Sequence, residues 1–402
     1  MNIHPFKARL IAASLCVATA AGIAAFPLIQ QAQAIQASPA IVTTQPQEHR
    51  IEVVFVLDTT SSMSGLIEAA KEKIWSIAST MASAQQNPDI RMGLVAFRDR
   101  GDAYITRVYD LSEDLDQMYA SLMDFRAQGG GDSPESVNQA LYDSIHRISW
   151  SQDDGVYRVV FLVGDAPPHM DYQDEVQYPE TLAVAQRRGI VVNTIQSGRH
   201  DYTRPAWQQI ASLGQGHYFQ VEDSGNTVAV ATPYDERMAR LATELEDTRL
   251  FYGGAEARIE QERKLEASKK LREELSTEAL ARRSAYNATA SGKKNLLGDK
   301  ELVDAITSGA VELEEIEEEN LPASLQSLPA SEQMEVIRQK AERRDELQQE
   351  IEELARFRDQ YIREKVEAEG GAGDSLDNKF FQVLRNQTAT VGLSYDDDSV
   401  KY

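Results

Sequence analysis

Residues 50 to 225 predict a doubly wound α/β fold: a six-stranded, mostly parallel sheet with one antiparallel edge strand, followed by a charged helical region. Three observations carry that prediction. Val53, Val54, Phe55, Val56 and Leu57 run without a polar break, as expected of a central parallel strand buried on both faces. Strand-like and helix-like patterns then alternate as far as Val221. Beyond about Asp223 the strand signals stop, and charged segments with Leu, Met and Ala at helical spacing replace them.

The first strand begins at Ile51 and stops on an acid, Asp58. After it, Leu66, Ile67, Ala70, Ile74, Ile77, Ala78 and Met81 recur at three and four, which is one face of a helix. A second buried strand spans Met92 to Phe97. The alternating segment Ala103 to Leu111 follows so closely that no helical crossover fits between them, so the third strand pairs antiparallel at an edge. Then come a helix from Glu113 to Phe125, a glycine-rich loop and a helix from Pro134 to Ile148. The remaining sheet elements are a buried strand from Tyr157 to Val163, a helix from Glu180 to Arg188, a strand from Ile190 to Ile195, a helix from Pro205 to Leu213 and a last strand from His217 to Val221.

Residues 1–34 read as an export signal. Lys7 and Arg9 form a basic start, Leu10 to Ile29 is apolar, and Ala32, Gln33 and Ala34 make a small-x-small cleavage site. The alternative is an uncleaved membrane anchor, because the apolar run is long for a signal. Cys16 is the only cysteine and lies in this segment, so the remainder has no disulfide and depends on its hydrophobic core. Residues 35–49 read as a polar linker. The formal charge of −23 becomes more negative still without Lys7 and Arg9, which makes nucleic acid and anionic membrane surfaces poor partners. The expected location is the periplasm or the exterior.

Three loops at the carboxyl ends of strands hold the chemistry. The first is Asp58, Thr59, Thr60, Ser61 and Ser62, with a carboxylate and two hydroxyls spaced two apart. The second runs from Gly129 through Gly131, Asp132, Ser133 and Pro134 to Glu135. In the third, Gly164 leads to Asp165 and then to His169. Converging carboxylates repel unless a cation lies among them, and hard oxygen donors suit Mg²⁺, with Mn²⁺ or Ca²⁺ as alternatives.

The Asp58-x-Thr60-x-Ser62 turn, the GGGDSPES loop and the VGDAPPH loop together resemble the metal-ion-dependent adhesion site of a von Willebrand factor type A domain, over about residues 50 to 225. Thr60 stands where such domains carry a first serine and keeps the hydroxyl. The resemblance implies Ser62 and Thr60 as direct ligands, with Asp58 and Asp165 acting often through water. Glu135 is the second-loop ligand it implies, Ser133 the reserve, and Asp132 a ligand to an adjacent second cation. It also implies a binding protein rather than an enzyme, with the cation taking an Asp or Glu side chain of a partner protein. Arg98 and Arg100, in the loop after the second strand, and His169 are assigned to the partner-binding rim. Two readings of other classes stand beside this one. A phosphoryl-transfer hydrolase with Asp58 as nucleophile lacks a second acid where Thr60 lies, and a structural envelope coiled-coil protein would not need the intact acids.

Residues 226–395 read as helical. Asp235 to Leu250 and Ala255 to Leu275 are charged helices, and Phe251 and Tyr252 at their junction are expected to dock on the first domain. The acids from Glu312 to Glu319 read as a solvated face. A long helix from Ser331 to about Glu369 carries Met334, Ile337, Ala341, Leu347, Ile351, Leu354, Phe357 and Tyr361 in a stripe, with pairs such as Glu352 and Arg356 outside it. That stripe wants a partner helix: Ala255 to Leu275 folding back as a hairpin, or a second copy of the chain. Arg344 interrupts the stripe and argues for the short hairpin. Lys379 to Tyr395 has enough apolar surface to dock, and residues 396–402 read as a disordered acidic tail.

Overall fold

The computed structural model describes residues 49–131, 133–222, 230–368, 375–396 and 400–401. The expected export signal, most of the linker, and Asp132 lie outside these residues. Among the described residues no helix is long and apolar enough to cross a membrane.

The apolar runs form the sheet. β1 (Arg50–Asp58), β2 (Asp89–Phe97), β3 (Thr106–Ser112), β4 (Val156–Gly164), β5 (Ile190–Ser197) and β6 (Gln215–Val221) assemble in the order β3-β2-β1-β4-β5-β6. Only β3 runs antiparallel to its neighbour. β1 is flanked by β2 on one side and β4 on the other, so the winding reverses there and the loops leaving β1 and β4 separate into a crevice. Leu57 pairs with Val163, which sets Asp58 level with Gly164 at its mouth.

α1 (Ser64–Ala82) and α2 (Leu115–Met123) cover one face of the sheet, and α3 (Val137–His146), α4 (Tyr178–Arg187) and α5 (Arg204–Leu213) cover the other. The helix expected from Pro134 begins instead at Val137. Glu135 is drawn into a bridge with Pro168, and Ser136 has a non-helical backbone.

Residues Glu48–Tyr402 form one compact unit, in which the helical region packs against the sheet. It comprises α6 (Asp235–Glu246), α7 (Ala255–Glu274), α8 (Thr277–Asn287), α9 (Lys293–Leu297), α10 (Leu302–Thr307), α11 (Ala330–Ala368) and α12 (Leu376–Thr388). The hairpin expected between α7 and the long helix α11 does not form: α7 lies on α2, while α11 packs on α6, α8 and α10. Arg344 is the apparent flaw in the α11 stripe. It is buried and grips both oxygens of Glu301 at 2.9 Å, so the stripe is matched to a carboxylate rather than to a leucine. Tyr252 packs in the cluster of Leu250, Leu302 and Ile337, within the helical region and away from the sheet.

α12 closes the sheet face beside α1. Phe380, Phe381 and Leu384 join the core of β1, β4 and β5, with the Phe380 ring 5.0 Å from that of Phe161. Lys73 of α1 holds Asp377 at 2.9 Å, both buried. Of the tail that the sequence suggested is disordered, residues 397–399 and 402 lie outside the described residues, while Asp396 accepts from Gln85 and Lys401 pairs with Asp359.

Candidate metal centre

Side chains alternate along the turn after β1, and the alternation sorts them by task. Thr59 faces β2, donating from its backbone and its hydroxyl to Phe97 O, both at 2.9 Å. Ser61 ties the turn to the glycine loop through Gly129 O at 2.7 Å. Asp58, Thr60 and Ser62 are left for the crevice. The Thr60 hydroxyl and backbone N–H donate to Asp58 Oδ1 at 2.7 and 2.9 Å, and the Thr60 and Ser62 hydroxyls lie 3.3 Å apart. Asp58 Oδ2 is buried and has no hydrogen-bond partner.

The other two loops are stitched together by their backbones. Glu135 N–H donates to Pro167 O at 3.0 Å and His169 N–H to Glu135 O at 3.1 Å, which fixes the second loop beside Asp165. Thr203 donates to Asp165 O at 2.8 Å and holds the third loop from the far side. The Glu135 carboxylate is 3% exposed, and its Oε2 also has no partner. Ser133 is exposed, whereas Glu135 is buried in the crevice. Gly130 stands between Thr60 and Glu135. A Cβ there would lie 3.1 Å from Thr60 Cβ and 3.4 Å from Glu135 Oε1, and its φ of 71° disfavours any side chain. Gly130→Ala is therefore expected to lower the melting temperature and to weaken divalent-cation binding at least about tenfold, given the charge-assisted contacts it disturbs. Scanning fluorimetry and calorimetric titration check the two effects separately.

The electrostatics match the geometry. Burial raises the Asp58 pKa to about 7, against the hydrogen bonds from Thr60, and the nearby Asp165 adds to the rise. Glu135 is pushed up to about 9, by burial first and then by the charges of Asp58, Asp99, Asp102 and Asp165. Two buried carboxylates with orphaned oxygens, hydroxyls of Thr60 and Ser62 beside them, and Asp165 at the rim make a hard-oxygen donor set that fits a divalent cation. Among the described residues no group of three or more His, Cys, Asp or Glu side chains is by itself arranged to hold a metal ion.

The loop after β2 contributes differently from expectation. Arg98 is buried, not at a rim: it lies over the Tyr104 ring and donates to Arg126 O at 2.9 Å, clamping the glycine loop. Arg100 stays at the surface, its guanidinium bound to Asp174 and Glu175 at 2.9 and 2.8 Å and stacked on Tyr172. His169 is likewise buried, at 6% exposure, stacked on Tyr172 and set between Asp171 at 2.8 Å and Asp99 at 3.3 Å. The acids of this loop are what the sequence reading missed. Asp99 accepts from Ser136 and Tyr172, and Asp102 accepts from Gly130 N–H at 3.1 Å. The signal was available, because the loop after β2 leaves the carboxyl edge beside the β1 loop and must land next to Asp58.

A family model described as von Willebrand factor A domain matches residues 52–231. The alpha-protein kinase vwkA of Dictyostelium discoideum is 28% identical over 121 residues, which is 30% of this chain and 19% of the kinase, so the chain spans about a fifth of that relative's length. Among solved structures, proximal thread matrix protein 1 from the mussel byssus is 15% identical, with a TM-score of 0.34 over 43% of this chain and 42% of that one. A form of the same byssus protein described as having a zinc-occupied MIDAS motif gives 14% and 0.35 over the same shares. The VWA domain of SpRpn10 gives 13% and 0.33, covering 44% of this chain and 89% of that one. Residues 52–231 of this chain thus match the von Willebrand factor A domain family, and the sheet order and carboxyl-edge loops are in keeping with that match.

Proposed function

We propose that the chain is an exported, metal-dependent protein-binding protein, an adhesion or scaffold molecule rather than an enzyme. Asp58, Thr60, Ser62, Glu135 and Asp165 would hold one divalent cation, Mg²⁺ in first place, with Mn²⁺ or Ca²⁺ as alternatives. The bound cation supplies an open coordination position for an Asp or Glu side chain of the partner. Thr60 orients Asp58 through Oδ1 and leaves Oδ2 for the site, while Gly130 keeps the space between Thr60 and Glu135 clear. Glu135 sets the strength of capture: as a direct ligand it neutralises the cation and weakens the pull on an incoming carboxylate, and its withdrawal strengthens that pull.

The observation that carries the reading is the pair of buried carboxylate oxygens, Asp58 Oδ2 and Glu135 Oε2, without partners in one crevice. Buried carboxylates without partners are costly to ionise, so without metal they keep their protons, and a divalent cation would take the protons' place. The acidic balance of the chain, at −23, supports a protein partner over a nucleic acid.

Calorimetric titration of the full chain with Mg²⁺, Mn²⁺ and Ca²⁺ tests the site. Binding is expected for the native chain and a loss of about a hundredfold for Asp58→Ala/Ser62→Ala, which removes one charged and one neutral donor. If the native chain takes up none of the three ions, the adhesion reading is wrong.

A further inference from the structure

A second site lies away from the metal centre, where α1, α8 and α11 meet. A cavity of about 400 Å³ is lined there by Ser76, Ser79 and Ser83 of α1, Arg282 of α8, Arg356 and Arg358 of α11, and Lys401. Its polarity is unusual for this chain. Four cationic side chains line it against two carboxylates, Glu352 and Asp359, although the whole chain carries −23. Asp359 is already taken by Lys401, at 2.5 Å.

Two buried polar atoms in the lining have nothing to bond to. Arg358 is 3% exposed; its Nε is held by Asp235 at 2.9 Å, but Nη2 has no partner. Ser76, at 2% exposure, has an unpartnered hydroxyl. Arg282 is also buried and has interactions of its own. Arg356 is exposed, and the Glu352–Arg356 pair expected from the sequence is not among the ion pairs of the described residues. Burial lowers the Arg358 pKa, and the like charge of Arg282 adds to the lowering after the opposing effect of Asp235. Like charges gathered in a cavity beside unpaired N–H and O–H donors call for an anion with several acceptor oxygens.

We propose that this cavity binds the phosphoryl group of a small molecule, with Arg358 Nη2 and the Ser76 hydroxyl as inner donors and Arg356 at the mouth. A guanidinium and a hydroxyl match the tetrahedral oxyanion, and the volume exceeds what a lone phosphate needs. The site is independent of the metal-dependent reading, since it shares no residue with it.

The test is calorimetric titration of the full chain, in metal-stripped buffer at constant ionic strength, with inorganic phosphate and with glycerol 3-phosphate. Saturable binding of at least one is expected, with glycerol 3-phosphate alone indicating that the organic part is read too. Arg356→Gln and Ser76→Ala, chosen because neither breaks an ion pair, should each weaken it about tenfold. Asp58→Ala should leave it unchanged. Failure of both probes to bind overturns the proposal. So does binding that survives Ser76→Ala, because the anion would then lie on the surface and not in the cavity.

Discussion

Replacing Arg283 with Met is expected to cost about 3–5 kcal/mol of folding stability, the range for breaking one side of a buried ion pair. Arg283 of α8 is fully buried and bridges two other helices: it donates to both oxygens of Asp116 in α2 and, at 2.6 Å, to Glu246 in α6. Burial alone would raise the Asp116 pKa, yet Arg283, with Lys264 and Arg249 behind it, holds that carboxyl well below its usual range. Removing the guanidinium leaves two acids in the interior without their main counter-charge. Arg272 and Arg249 still reach Glu246, so Asp116 bears most of the loss. Urea unfolding of the full chain measures the effect, and a change below about 1 kcal/mol would show that the network is dispensable.

The second large effect concerns pH. Freed of divalent cations, the chain is expected to lose several kcal/mol of stability as pH rises from about 4 to about 9. In the unfolded chain Asp58 and Glu135 release their protons near pH 4. In the folded chain they hold them to about 7 and about 9. Between those limits the folded state carries protons that the unfolded state has lost, so raising the pH favours unfolding. Below about 4 both states are protonated and the full stability is present. Saturating Mg²⁺ should flatten the dependence by replacing the protons, and Glu135→Gln should reduce it without metal. Melting temperatures at pH 5, 7 and 9, with and without Mg²⁺, would expose the error if the metal-free chain were insensitive to pH.

What the sequence made legible was whatever depends on periodicity and strand order. The unbroken run from Val53 to Leu57, the short link before β3 and the placement of Asp58 and Asp165 at carboxyl ends follow from local pattern, and the structure has them. What escaped was whatever depends on which helix meets which. Arg344 looked like a fault in a stripe because Glu301, its partner, lies 43 residues away in sequence. Arg98 and His169 looked like surface residues because charge and a loop position suggest exposure. Their burial depends on Tyr104, Tyr172 and Asp99, which only the folded chain brings to them. The acids Asp99 and Asp102 were in view, but the arginines beside them drew the functional assignment.

The position of α12 has a consequence for how the chain is made. The sheet is complete in sequence by Val221, yet the Phe161 side of it is sealed by Phe380, Phe381 and Leu384 of α12. During synthesis this apolar face stays open until α12 has emerged, long after β6, and its closure joins elements of very large sequence separation, which is slow. Cutting out the family-matching stretch alone would thus yield a sticky fragment, and a chain emerging from a ribosome would need protection until α12 arrived.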